Sequence, residues 1–135
     1  MEGKHRVLVV GVGFVGRVHV DALRCTQRAD VAVCETGEEQ RRRLQADFAQ
    51  VETFASLDEA LRRPWDAAVI ATPAHTHLEL GRRLTAAGIP LLMEKSLALV
   101  TDGLAEWIDA VTATGLPIMV GFVFRCHPAL PGNSF

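Results

Sequence analysis

Along the chain, short β-branched apolar runs alternate with longer stretches whose apolar positions recur at helical spacing, the pattern of parallel strands joined by helical crossovers. Six strands are predicted, over residues 7–10, 31–35, 51–54, 67–71, 91–93 and 118–122. Helices are expected over 14–24 and 38–48, and a brief one opens at Ser56, where Ser56-Leu57-Asp58-Glu59 reads as a capping box and Pro64 as the stop. The run 67–71 is apolar throughout, as a central strand covered on both faces should be. The next helix is expected over 76–87, ended by Gly88 and Pro90. Thr101 is the expected cap of a last helix on which Leu104, Trp107, Ile108 and Val111 share one face, with Gly115 and Pro117 ending it. The expected architecture is α/β: a doubly wound, Rossmann-type parallel sheet in a single domain spanning 1–127, with 128–135 an irregular tail.

Composition narrows the classes of partner. Across 135 residues, 49% are hydrophobic and 22% charged, which is the range of folded globular chains. A formal net charge of −2 gives no electrostatic reason to bind nucleic acid or an anionic membrane, so small molecules or protein are the expected partners. Cys25, Cys34 and Cys126 are odd in number and lack zinc-like spacing, which argues against a disulfide framework and for a reducing, cytoplasmic setting. No apolar stretch reaches the roughly 18 residues that a membrane-spanning helix needs.

The chemistry begins at the first turn. Gly11, Val12, Gly13, Phe14, Val15 and Gly16 form G-x-G-x-x-G between a strand and a helix. There Gly11 permits a tight turn, Gly13 lets backbone approach a pyrophosphate, and Gly16 lets helix and strand pack closely. Glu35, about 20 residues on at the end of the second strand, is placed to accept hydrogen bonds from both adenosine ribose hydroxyls. The same carboxylate repels a 2'-phosphate, so NAD is expected over NADP. Arg41, Arg42 and Arg43 read as a solvated helix face, the alternative being that one reaches back towards a phosphate.

In open parallel sheets the ligand lies outside the carboxyl ends of the strands, which draws in Ala71 to His77 after the fourth strand and Met93 to Ser96 after the fifth. In these motifs the chain resembles the N-terminal domain of the Gfo/Idh/MocA family of glucose-fructose oxidoreductases and inositol dehydrogenases. The resemblance rests on Gly11 to His19 as G-x-G-x-x-G-x-x-H, Ala71 to His77 as A-T-P-x-x-x-H, Glu94-Lys95 followed by Leu97-Ala98, and Arg125 to Ala129. It implies hydride transfer between nicotinamide and an oxygen-bearing carbon of a sugar, cyclitol or related polyol. It also implies that Lys95 stands beside the reacting hydroxyl as the catalytic lysine. A lysine is a useful base there only with a lowered pKa. Burial against the cofactor would favour that and the Glu94 charge would oppose it unless its side chain points elsewhere.

By the same resemblance, Phe14, Val15, Thr72, Pro73, His77, Glu94 and Lys95 join the glycines and Glu35 around the cofactor. His19 is expected to be structural, and Arg125 and His127 face the ligand edge with open roles. Cys126 lacks an identifiable activating base. No metal site is expected, because the side chains of His75 and His77 diverge at a helix entrance and no third ligand is near.

Ala74 and Ser96 depart from the family's usual asparagine and proline. Family members also continue into an α+β domain that supplies the substrate pocket and usually the oligomer contact. Residues 128–135 read as the start of the link to it, so a truncated product is the expectation, with turnover depending on the missing domain. A stand-alone NAD-binding module and an inactive product are the alternatives.

Overall fold

The apolar runs pair as parallel strands, and the helices between them cover both faces of the sheet. The computed structural model describes residues 3–122 and Ala129. In chain order the elements are β1 (His5–Val10), α1 (Phe14–Cys25), β2 (Ala29–Cys34), α2 (Glu38–Asp47), β3 (Glu52–Phe54), α3 (Leu57–Ala60), β4 (Ala67–Ile70), α4 (His77–Ala86), β5 (Leu91–Glu94), α5 (Leu104–Thr114) and β6 (Ile118–Gly121). The six strands lie in the order β3-β2-β1-β4-β5-β6. Val10 stands beside Cys34 on one side and Ile70 on the other, so β1 and β4 are the central pair, where the winding reverses direction.

Alternation along the strands divides the core. Leu8 and Val10 point to the side covered by α3, α4 and α5, where they meet Ile70, Leu84, Met93 and Trp107. Val7 and Val9 point to the other side, where α1 and α2 contribute Val20 and Leu44. The expected doubly wound, six-stranded architecture is therefore present. No helix among the described residues is long and apolar enough to cross a membrane.

Element ends differ from expectation for local reasons. Ser56 caps α3 as anticipated, its Oγ accepting from Glu59 N at 3.2 Å, but Glu59 Oε2 accepts from Ala55 N and not from Ser56. That helix stops at Ala60, before Pro64. The helix expected from Thr76 opens instead as a 3₁₀ turn, Ala74–Thr76, because the Thr76 N–H and hydroxyl both donate to Pro73 O, at 3.0 and 2.7 Å. Gly88 closes α4 as expected, with Gly88 N on Thr85 O and Ile89 N on Leu84 O. Thr101 does not cap α5. Gly103 takes that position with φ +77°, a left-handed backbone suited to glycine, and Thr101 offers only its carbonyl, to Leu104 N.

Candidate functional site

The central pair opens a cleft at the carboxyl ends of the strands, where the reversal of winding parts the connecting loops. Its volume is about 690 Å³, and its walls gather Gly11, Gly13, Phe14 and Val15 after β1, Glu35 and Thr36 after β2, and Thr72 and Pro73 after β4. Seven of the residues singled out in the sequence thus meet in one place. A further wall, Ser56 to Asp58 with Arg83 of α4, escaped the sequence reading. Asp58 and Arg83 are ion-paired, a contact between residues 25 apart that only the fold reveals.

The glycine turn is held by backbone contacts. Gly11 has φ +89° and donates from its N–H to Cys34 O at 2.9 Å, and a Cβ there would lie 2.8 Å from Thr72 Cγ2. Gly16 sits beneath the turn, where a Cβ would fall 1.9 Å from Gly11 O. Gly13 is different, since a Cβ there would meet nothing within 4 Å. The space above Gly13 is open, and the first N–H groups of α1 are not met by any side-chain cap. These donors over an open backbone suit a pyrophosphate.

Glu35 closes the other end of the turn. Its Oε2 accepts from Val12 N at 2.9 Å and its Oε1 from Gly37 N at 3.0 Å, so the carboxylate is pinned beside the glycine loop with further lone pairs to offer. Beneath it, burial and then the Glu35 charge push the Cys34 thiol up to about 11, leaving it protonated and unreactive at neutral pH.

Arg42 and Arg43 lie on the expected solvated face, paired with Glu38 and Glu39 one turn away. Arg41 does not. Its guanidinium reaches back to Glu35 O at 2.7 Å and Thr36 O at 2.9 Å.

Four of the anticipated residues lie off the cleft wall. Gly16 is under the turn. His77 is fully buried, and its ring spans two loops, Nε2 2.8 Å from Thr72 O and Nδ1 2.6 Å from Ser96 O. The resemblance placed this ring among the cofactor contacts, whereas it stands behind the wall with both nitrogens engaged. His75 is exposed, so the two histidines do diverge. Exchanging His77 for leucine keeps most of the volume but removes the donor, and a part-buried carbonyl left without its partner costs about 1 kcal/mol or more. His77→Leu should therefore lower the denaturant midpoint at an unchanged slope. An unchanged midpoint would contradict this account.

Glu94 turns away from Lys95. Its Oε1 lies 2.6 Å from His19 Nε2 on α1, both side chains about four-fifths covered, at 20% and 21% exposure. Lys95 is exposed at the end of β5 and makes no hydrogen bond or ion pair among the described residues. The Lys95–Ser96 peptide bond is cis. His19, expected to be merely structural, is thus what draws the neighbouring charge aside. Arg125, Cys126 and His127 lie outside the described residues, as does the tail 128–135 apart from Ala129. Among the described residues, no three His, Cys, Asp or Glu side chains stand together to hold a metal.

Comparison with known proteins agrees with this geometry. The sequence model of the Gfo/Idh/MocA group, described as "Oxidoreductase family, NAD-binding Rossmann fold", matches residues 5–122. A UDP-N-acetylglucosamine 3-dehydrogenase of Acidithiobacillus ferrooxidans is 30% identical over 125 residues, 93% of this chain and 39% of that protein. The myo-inositol dehydrogenase Hyg17 of Streptomyces leeuwenhoekii is 33% identical over 126 residues, 90% of this chain and 38% of the relative. Among solved structures, GenD2 from gentamicin A biosynthesis, in complex with NAD, superposes with a TM-score of 0.80 at 33% identity, covering 90% of this chain and 35% of that one. The chain spans under two fifths of the length of these curated relatives. The resemblance read from the motifs is borne out, and with it the expectation of an NAD-binding Rossmann fold. The chain belongs to the Gfo/Idh/MocA oxidoreductase family, of which it carries the NAD-binding Rossmann fold.

Proposed function

We propose that this chain is the cofactor-holding unit of an NAD-dependent oxidoreductase that moves hydride between nicotinamide and an oxygen-bearing carbon of a sugar, cyclitol or related polyol. The observation that carries the reading is the cleft itself, where the open backbone at Gly13 and the pinned carboxylate of Glu35 meet Thr72 and Pro73 at the reversal of the sheet. Two relatives support the substrate class, being named for a UDP-linked amino sugar and for myo-inositol. The nicotinamide ring, when bound, supplies the hydride acceptor or donor. The protein's part is to hold it and to manage the hydroxyl proton.

The first N–H groups of α1 hold the pyrophosphate, and Glu35 accepts from the ribose hydroxyls. Thr72 and Pro73, which line the cleft after β4, would form a wall against the bound cofactor. Lys95, exposed and with no carboxylate paired to it among the described residues, is the group that accepts the hydroxyl proton of an alcohol as hydride passes from its carbon to the nicotinamide.

Calorimetric titration of the chain with NADH and NADPH tests the cofactor half, and NADH formation from a panel of cyclitols, sugars and nucleotide sugars tests the rest. Glu35→Ala should lose about 1.5–3 kcal/mol of NADH binding, the worth of hydrogen bonds to a charged group, which is about ten- to a hundredfold in Kd. NADPH should lose less, because the variant also removes a repulsion. Equal binding of NADH by wild type and variant would remove Glu35 from the site.

A further inference from the structure

The turn between β2 and α2 is fixed from three directions. Glu35 N donates to Phe54 O at 3.0 Å, tying the backbone to β3. The Glu35 carboxylate accepts from Val12 N and Gly37 N. The Arg41 guanidinium, reaching back from the first full turn of α2, takes the carbonyls of Glu35 and Thr36. The third of these governs the second. Thr36 O and Gly37 N belong to one peptide unit, and that unit is planar with its C=O and N–H at opposite edges. Holding Thr36 O therefore sets where the Gly37 N–H points, and it points at Glu35 Oε1. A rotation of that peptide plane would take the donor away from Oε1 and leave the carboxylate held through Oε2 by Val12 N alone, able to pivot about that one bond. Gln40 crowds the same turn from α2, since a Cβ on Gly37 would lie 2.1 Å from Gln40 Oε1.

We propose that Arg41 is a positioning residue for cofactor choice: by gripping the Thr36 carbonyl it orients the Gly37 N–H that aims Glu35 at the adenosine ribose. The inference rests on the proposed reading of Glu35 and adds to it the part of the chain that keeps that carboxylate in place. It also assigns an opposite role to the one a cation near the ribose suggests. Arg41 Nη1 is engaged by backbone oxygens, so its grip on the turn supports discrimination against a 2'-phosphate through Glu35.

The test uses the full chain and three variants. Arg41→Ala removes the grip, Arg41→Lys keeps a donor, and Arg42→Ala removes the same charge one residue away, where its partner among the described residues is the exposed Glu38. Calorimetric titration with NADH and NADPH gives the ratio of their dissociation constants. Backbone amide exchange followed by NMR gives the protection of Gly37 N–H with no cofactor present. Arg41→Ala should narrow the preference for NADH about fivefold, the scale of one net hydrogen bond, and Gly37 should exchange faster. Arg41→Lys should fall between it and wild type, and Arg42→Ala should match wild type.

An unchanged ratio in Arg41→Ala, or the same change in Arg42→Ala, would overturn the proposal. So would a selective loss of NADPH binding in Arg41→Ala, which would show the guanidinium serving the phosphate. If the wild-type chain bound neither dinucleotide, the cofactor reading would fail, and unaltered Gly37 exchange in Arg41→Ala would still refute the positioning role.

Discussion

Lys95→Met, in a catalytically competent assembly containing this chain, is expected to lower kcat by about 10²–10⁴, the usual worth of a positioned acid or base, with NADH affinity close to that of wild type. Methionine keeps an unbranched apolar stem and loses the amine, so the change is confined to proton transfer. Lys95 is exposed at the end of β5 and lies off the cleft wall, and the loop behind it is tied down through His77, so the cofactor walls do not depend on the ammonium group. Stopped-flow traces of NADH formation separate the hydride step from product release. Undiminished turnover in the variant would remove Lys95 from the chemistry. A rise in KM with kcat preserved would make it a substrate-binding group instead.

Gly16→Ala is the second large effect. The new methyl would fall 1.9 Å from Gly11 O and 2.8 Å from Gly11 C, both backbone atoms with no rotamer to escape into. Either α1 lifts from β1 or the turn rearranges. Overpacking of this kind costs about 1–3 kcal/mol and occasionally more, and the turn that moves is the one over which the pyrophosphate would lie. Loss of NADH binding in calorimetry, together with a lowered denaturant midpoint, is the expected outcome. Gly13→Ala provides the contrast, because its methyl would enter open space. It should leave the midpoint intact and weaken NADH alone. If Gly16→Ala bound NADH normally, the close approach of α1 to the turn would be misdescribed.

Those glycines were legible in the sequence because their signal is local: a strand, three glycines at fixed spacing and a helix are written in consecutive residues. The six strands were legible for the same reason, each being a short apolar run between turn residues. Glu35 was found through its distance from the turn. What stayed hidden depends on partners distant in sequence or on side-chain reach. Glu94 turns to His19, 75 positions away, and nothing around either residue announces it. Asp58 and Arg83 come together only because α3 and α4 border one cleft. Arg41 looked like its neighbours Arg42 and Arg43, and composition cannot tell a guanidinium on solvent from one on a carbonyl. Thr101 was a plausible cap by residue type, yet the left-handed backbone at Gly103 places the helix start two residues on.

The buried imidazole of His77 has a consequence for timing. One rigid five-membered ring stands between the loop that follows β4 and the loop that follows β5, so the gap between the Thr72–Pro73 wall and the loop that carries Lys95 is gauged by a covalent object of fixed width. In the proposed reaction hydride and proton would leave the carbon and oxygen of one alcohol group, and reacting atoms must already stand about 3–3.5 Å apart for such a step to be fast. A protein that measured this gap with a flexible side chain would have to find the distance anew at every turnover. Here the distance is set when the chain folds, before any ligand arrives.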